Sequence, residues 1–265
     1  LVNLMDPMIN NPNFGELLVM LSDNGVFWPK MGINTLVNWD YLKGYKVKMT
    51  SIANNCLFGS PVVQNNVTIQ AGVHYLPILT MSPVQASDLF AGAPLIYAYN
   101  VYNGELYWPD GGIYTLETLY PGIAYLILLT EEHTFTFAPA GPDNTPQKLE
   151  RMPKYVFENP TPNWNDPLNT GVSHFVSIYT EAMEGLSVGD VVGAFDEEGN
   201  CVGMTRIKSL DKNAPLIVYG DDQTTGEIDG LQEGELIHFR ILKSGTQSEE
   251  TVYASFDVNL THHNG

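Results

Sequence analysis

The chain has few charged residues, and cations are the scarcest of them. Its 265 residues include 12 Lys and Arg against 30 Asp and Glu, for a net charge of −18. Charged residues make up 16% of the chain, where about a quarter is usual. Nucleic acids and anionic membranes are bound by clustered Lys and Arg, so we expect neither as a partner. The acidic balance permits bound cations such as calcium.

Cysteine, long apolar runs and the common catalytic motifs are also scarce or missing. Cys56 and Cys201 are the two cysteines, too few for a disulfide framework, which leaves one bridge or two buried free thiols. No run of 18 apolar residues occurs, so we expect no membrane insertion. The sequence has no HExxH motif and no phosphate or dinucleotide loop. The chain starts at Leu1 without a signal peptide, and we interpret it as a mature or excised piece of a longer protein.

A repeated motif is the most informative feature that the sequence does contain. "VFWPKMGINTL" (26–36) returns as "LYWPDGGIYTL" (106–116), and "GYKVKMT" (44–50) returns as "GIAYLILLT" (122–130). "VNLMDPM" near the start also resembles "ASDLFAG" at 86–92. Short apolar or alternating runs bounded by Gly, Asn and Pro are typical of β-strands. The pattern predicts one small β unit built twice.

The fold class predicted from these patterns is all-β. We expect a duplicated β-repeat domain over residues 1–145, with copies at about 1–70 and 71–140. A Pro-rich and Asn-rich linker then leads into a second domain, 146–265, where six strand-like runs are separated by turn signals such as "EEGN" and "DDQTTGEIDG". Strands at this spacing favour an antiparallel β-sandwich.

Taken together, these motifs resemble those of a known group of proteins. "WPKMGINTL…KGYKVKM", "LYPGIAYLIL" and "LSVGDVVGAFDEEGNCVG…VYGDDQTTGEIDG" are similar to repeats and an accompanying β-sandwich module in large secreted, cell-surface proteins of Bacteroidota exported by type IX secretion. The resemblance implies an extracellular or surface-attached product. It supplies no catalytic residues that could be transferred to this chain.

Aromatic residues are the first candidate binding group. Flat aromatic faces beside Asn and Asp could stack on sugar rings, and the preferred glycan-stacking candidates are Trp28, Trp108, Tyr107 and Trp164. The alternative is that the Trp residues of the repeat are core anchors, because a large aromatic side chain dominates a small core. A duplicated fold duplicates its core first, which favours burial.

Acidic turns are the second candidate group. Calcium takes six to eight oxygen ligands from carboxylates, amides and carbonyls, and the preferred ligands are Asp190, Asp196, Asp221 and Asp222. The alternative is ordinary hairpin turns, in which Asp and Asn support the backbone geometry. "GLSVG" (185–189) matches a nucleophile motif, but a strand follows it where that motif requires a helix.

The function predicted from the sequence is that of a non-enzymatic extracellular or cell-surface module, which serves adhesion, display or spacing in a larger secreted protein. Its partner would be a glycan or another surface protein, and calcium is the only cofactor considered. A carbohydrate-binding module with exposed Trp and Tyr is the alternative. A glycoside hydrolase ranks third, since it needs two carboxyl groups facing each other across a cleft.

Overall fold

A computed structural model describes residues 5–6, 8–9, 17–50, 64–137 and 164–256 of the chain. Within these ranges the protein is nearly all β, with antiparallel sheets, and this confirms the predicted fold class. None of the helices in these ranges has the length and apolar character needed to span a membrane. Cys56 and the proposed linker after residue 137 lie outside the described residues.

In the described part of the chain, bounds are defined for nineteen strands and for one short α-helix. In chain order they are β1 (Leu17–Ser22), β2 (Gly25–Trp28), β3 (Ile33–Asn34), β4 (Lys46–Met49), β5 (Asn66–Ile69), β6 (Gly72–Pro77), β7 (Val84–Gln85), α1 (Ala86–Leu89), β8 (Leu95–Tyr99), β9 (Leu106–Trp108), β10 (Ile113–Tyr114), β11 (Thr118–Leu119), β12 (Ala124–Leu129), β13 (His133–Thr136), β14 (Ser173–Ile178), β15 (Val191–Phe195), β16 (Cys201–Arg206), β17 (Ala214–Tyr219), β18 (His238–Leu242) and β19 (Glu249–Val252). Two 3-10 turns occupy Pro29–Met31 and Thr180–Met183.

The chain divides into two compact units. Unit 1 comprises residues 1–101 and 115–153, and unit 2 comprises residues 102–114 and 154–265. The β9–β10 hairpin of the second repeat copy therefore belongs with unit 2. The predicted domain boundary at 145/146 lies outside the described residues and stays a prediction.

The strand pairing in unit 1 shows the duplication directly. Strand β4 lies antiparallel to β1 with Met20 opposite Val47, and β12 lies antiparallel to β8 with Ala98 opposite Ile127. Both pairs carry an irregularity at the same place, between Leu17 and Val19 in the first copy and between their counterparts Leu95 and Tyr97 in the second. Because a bulge specifies register and twist, sharing it means that the two copies have one backbone plan.

The Trp-Pro motif forms the same turn in both copies. Trp28 lies opposite Ile33 in the β2–β3 pair, and Trp108 lies opposite Ile113 in the β9–β10 pair. Each turn closes on a glycine in the left-handed region, Gly32 at φ 67° and Gly112 at φ 64°. These glycine N–H groups donate to Pro29 and Pro109 carbonyls at 3.1 and 2.9 Å. The spacing of Pro and Gly thus follows from turn geometry, since glycine adopts positive φ at little cost.

A tyrosine closes the following loop in each copy. The Asp40 N–H donates to the Tyr45 hydroxyl, and the Tyr120 N–H donates to the Tyr125 hydroxyl, both at 2.8 Å. From the turn to this tyrosine, matching residues lie 80 positions apart without a gap. Tyr45 therefore corresponds to Tyr125 and Gly44 to Ala124, so Gly44 and Gly122 are not counterparts.

Unit 2 contains the sandwich. Its four-stranded sheet has the order β16-β15-β18-β19, and β14 pairs with β17. Strand β15 lies between β16 and β18 and is buried along its whole length, because both faces of the sheet are covered there. One of its faces packs with β17 and Phe239 in the main core, and the other packs with Trp164 and Met204. Cys201 lies in this second cluster as a buried free thiol, and burial raises its pKa to about 11.

Candidate functional site

The β9–β10 hairpin is covered where its Trp-Pro turn meets the rest of unit 2. The Gly111 carbonyl accepts hydrogen bonds from Ser177 Oγ at 2.7 Å and from Asn213 Nδ2 at 2.9 Å. Ile113 is 1% exposed. A side chain at position 111 would collide with the ring of Trp108, at 2.5 Å from Cδ2. Glycine at this position lets the indole lie flat over the turn.

The β2–β3 hairpin of the first copy has the same backbone but no such cover. Its Ile33, the counterpart of Ile113, is 39% exposed, and Met31, the counterpart of Gly111, is 62% exposed. We call Gly25–Asn34 the open hairpin. Ile33 is exposed at the position where the sister hairpin buries Ile113, and Met31 is an apolar side chain that the sister hairpin lacks. The contrast in exposure between Ile33 and its repeat partner Ile113 makes this hairpin a candidate interaction surface.

The predicted glycan-stacking residues are distributed unevenly. Trp28 and Trp108 are half-buried, and Tyr107 is half-buried with its ring edge-to-face against Tyr114 at 5.3 Å. Desolvation first, and then the neighbouring Tyr114, raise the pKa of Tyr107. These three side chains pack within their own hairpins, and only part of each ring is exposed to solvent.

The prediction that Trp164 stacks on a sugar ring is wrong. It is buried against Gly193 and stands edge-to-face to Phe195 at 5.0 Å, while its Nε1–H donates to Glu249 Oε2 at 3.1 Å. A ring covered in this way offers no face to a sugar, because close packing fills the space on either side. Trp164 is a core residue of the sandwich.

A different aromatic pair lies at the surface of the first copy. Trp39 and Tyr45 stack with ring centroids 4.5 Å apart and an interplanar angle of 18°. Trp39 is 42% exposed, and the nearby Tyr41 is 50% exposed. Trp39 and Tyr41 are not among the preferred glycan-stacking candidates, because nothing in the sequence distinguishes an exposed Trp from a buried one. We call Trp39 and Tyr45 the aromatic platform.

The chain leading into the platform is strained. Val37 has φ 56°, and the Asn38 N–H donates to the Leu36 carbonyl at 2.6 Å, which makes a γ-turn around Val37. The classic γ-turn is rare and strained, and positive φ is an outlier for a β-branched residue. The Val37 N–H donates to Asn34 Oδ1 at 3.0 Å. Its counterpart Glu117 is not among the positive-φ residues, so this strain belongs to the first copy alone.

The four predicted calcium ligands do not come together. Asp190 is buried, and its carboxylate accepts the Ser187 N–H, the Ser244 N–H and the Ser244 hydroxyl at 3.0, 2.9 and 3.0 Å, with Lys243 Nζ at 3.5 Å. Burial opposes its ionisation, but the hydrogen bonds from Ser244 and Ser187 and the Lys243 charge outweigh it, so the pKa of Asp190 is lowered. Asp190 therefore closes the "GLSVG" turn onto Ser244, and Ser187 forms part of that turn.

Asp221 and Asp222 also serve loop geometry. Asp222 Oδ1 accepts the N–H and hydroxyl of Thr224 at 2.9 and 2.7 Å. The Asp222 N–H donates to Asp229 Oδ1 at 2.9 Å, and the Asp229 N–H donates to Asp221 Oδ1 at 3.0 Å. These are the local carboxylate-to-backbone bonds typical of turns.

Asp196 is the one predicted ligand that belongs to a carboxylate group. In the described part of the chain, the group of three whose oxygens lie within 4.8 Å of one another is Asp196, Glu198 and Glu235. Asp196 already accepts the Asn200 N–H at 2.7 Å, and Glu235 accepts the N–H groups of Glu197 and Gln232 at 2.9 and 2.8 Å. Glu235 could not be predicted as a member of this group, because it lies far along the chain from Asp196 and Glu198.

The chain was compared with protein-family models, curated proteins and solved structures. No family model, no curated protein and no solved structure matches the chain.

Proposed function

We propose that the chain is a non-enzymatic module of an extracellular or cell-surface protein, in which the open hairpin docks against another protein domain. The supporting observation is the contrast between the two hairpins. One backbone is built twice, and Ile113 of the second copy is buried beside a turn bonded to Ser177 and Asn213, while Ile33 and Met31 of the first copy are exposed. A surface of this type serves adhesion, display or spacing between repeated units.

The state of the acidic residues supports the non-enzymatic part of the proposal. The carboxylates of Asp190 and Asp222 accept hydrogen bonds from backbone N–H groups and hydroxyls within their own turns. A hydrolase needs a carboxyl group placed to protonate or attack its substrate. Carboxylates held as turn acceptors stabilise the fold instead.

The positive charge of the first repeat copy also supports a docking role for its exposed surface. All four basic residues of the first 146 positions, Lys30, Lys43, Lys46 and Lys48, lie within the segment 26–50, which contains one acid, Asp40. This segment is positive in a chain of net charge −18. Complementary charge raises the association rate and selects the orientation of a partner, so an acidic partner domain is favoured.

Bead adhesion tests the proposal. Beads carrying the whole chain would be counted on surfaces bearing intact bacterial cells, the same chain, or albumin as a blank. We expect retention above albumin that falls several-fold in Ile33→Asp and is unchanged in Ile228→Asp, a control at an exposed isoleucine of unit 2. Equal retention of all variants, no retention above albumin, or release of sugars or peptides from the surface would contradict the proposal.

A further inference from the structure

The aromatic platform differs from its repeat counterpart in a way that the fold does not require. Trp39 stands where the second copy has Leu119, which is fully buried and pairs with Val84 in the β7–β11 ladder. Tyr45 and Tyr125 are otherwise equivalent, since each hydroxyl accepts the N–H five residues earlier. The first copy thus keeps the tyrosine and places an exposed indole against it.

The tyrosine that supports Trp39 is held in place by packing and by hydrogen bonds. Tyr45 packs against the buried cluster of Leu17, Met20 and Phe27, and its hydroxyl both accepts the Asp40 N–H and donates to the Asp40 carbonyl at 3.2 Å. Desolvation raises the pKa of Tyr45, so the phenol stays neutral and keeps this donor. Trp39 therefore rests on a fixed ring, and ordering it for a ligand costs little conformational entropy.

Exposed polar side chains suited to hydroxyl ligands lie next to Trp39 in the chain. Asn38 is exposed directly before Trp39, and the exposed Tyr41 follows two residues later. The strained γ-turn at Val37 sets the path of the chain into Trp39. Backbone strain of this kind persists where the surrounding structure over-determines it and is concentrated at ligand sites.

We propose that the aromatic platform binds β-linked hexopyranose units of a glycan. In β-linked glucose or galactose the ring hydroxyls lie mostly at the rim, so the ring face presents C–H groups of partial positive charge. Such a face matches the negative face of an indole. Asn38 would exchange hydrogen bonds with the rim hydroxyls. Trp39 and Tyr45 lie outside the open hairpin, and this role goes beyond the docking role proposed for that hairpin.

A glycan array probed with the whole chain, followed by calorimetric titration with the β-1,4-linked glucose hexasaccharide and its α-1,4-linked counterpart, tests the proposal. We expect β-linked hexoses to bind, Trp39→Ala to weaken binding about tenfold, and Trp39→Phe to retain part of it. Tyr114→Ala, at an exposed tyrosine of the second copy, and Ile33→Asp should bind as the wild type does.

Three outcomes would overturn the platform as a glycan site. They are no glycan bound by the wild-type chain, unchanged binding in Trp39→Ala, or an equal loss in Tyr114→Ala. Thermal melts of each variant separate lost binding from lost folding, and Trp39→Phe keeps the ring if the alanine variant unfolds. Bead retention that depends on Ile33 without glycan binding would leave the docking function standing and refute the glycan site alone.

Discussion

Ile33 and Ile113 occupy the same position of the same hairpin, each opposite the tryptophan of its Trp-Pro motif, yet one is 39% exposed and the other 1%. Their backbones share the turn and the left-handed glycine. The difference therefore arises from what lies over the side chain. Ile113 therefore reports on the packing of the motif in the core, and Ile33 reports on its behaviour at the surface.

The two isoleucines should respond differently to truncation. Ile113→Ala removes buried methyl groups and leaves a cavity, and we expect it to lower the free energy of unfolding by about 2–4 kcal/mol. Ile33→Ala should cost less than about 1 kcal/mol, since much of its side chain already contacts water. Urea unfolding of both variants measures the difference. Similar losses would mean that the two hairpins are covered alike.

The Gly111 carbonyl should couple Ser177 to Asn213. Either Ser177→Ala or Asn213→Ala leaves the carbonyl one donor, whereas the double variant leaves it none. Because an unsatisfied buried carbonyl costs about 1–3 kcal/mol, we expect the double variant to lose more than the sum of the single losses. Asn213→Ala should cost more than Ser177→Ala, since Asn213 Oδ1 also accepts the Thr180 N–H at 3.1 Å. A double-mutant cycle in urea measures this coupling, and strict additivity would count against it.

The repeat and the strands could be predicted because their signals are local. A Trp-Pro pair followed three residues later by Gly specifies its own turn, and alternating apolar residues specify a strand face. The hydrogen bonds to the Gly111 carbonyl could not be predicted, because their donors Ser177 and Asn213 lie 66 and 102 positions away along the chain. The same limit applies to Trp39 and Leu119, since a paired strand decides which of the two is covered.

Asp190 should contribute a pH-dependent part of the stability of unit 2. A lowered pKa means that its ionised form is favoured by folding, so its contribution is complete above the ordinary aspartate pKa near 4. The contribution is lost as the pH falls through the lowered pKa. We expect Asp190→Asn to cost about 2–3 kcal/mol at pH 7 and the gap from wild type to narrow below pH 4. A gap that is constant from pH 7 to pH 2.5 would contradict this assignment.

Gly203 should tolerate no larger residue. A methyl group there would lie 2.2 Å from the Ile217 carbonyl oxygen, a backbone atom that cannot move aside without shifting β17. We expect Gly203→Ala to lower the free energy of unfolding by about 3 kcal/mol. Gly226→Ala is the matched control, because nothing lies within 4 Å of its added carbon. Equal melting temperatures for the two variants would show that β16 and β17 are not closely apposed.

The carboxylate group of Asp196, Glu198 and Glu235 gives the clearest test of calcium. Because Asp196 and Glu235 already accept N–H groups, we expect the melting temperature to be the same in millimolar calcium and in chelator. Any ion that binds only the folded chain must raise the melting temperature. Glu198→Gln is the matched variant, because it removes one charge without touching the hydrogen bonds of Asp196 or Glu235. A rise with calcium that disappears in Glu198→Gln would contradict the expectation and make this group a calcium site, since carboxylate oxygens are the ligands that calcium prefers.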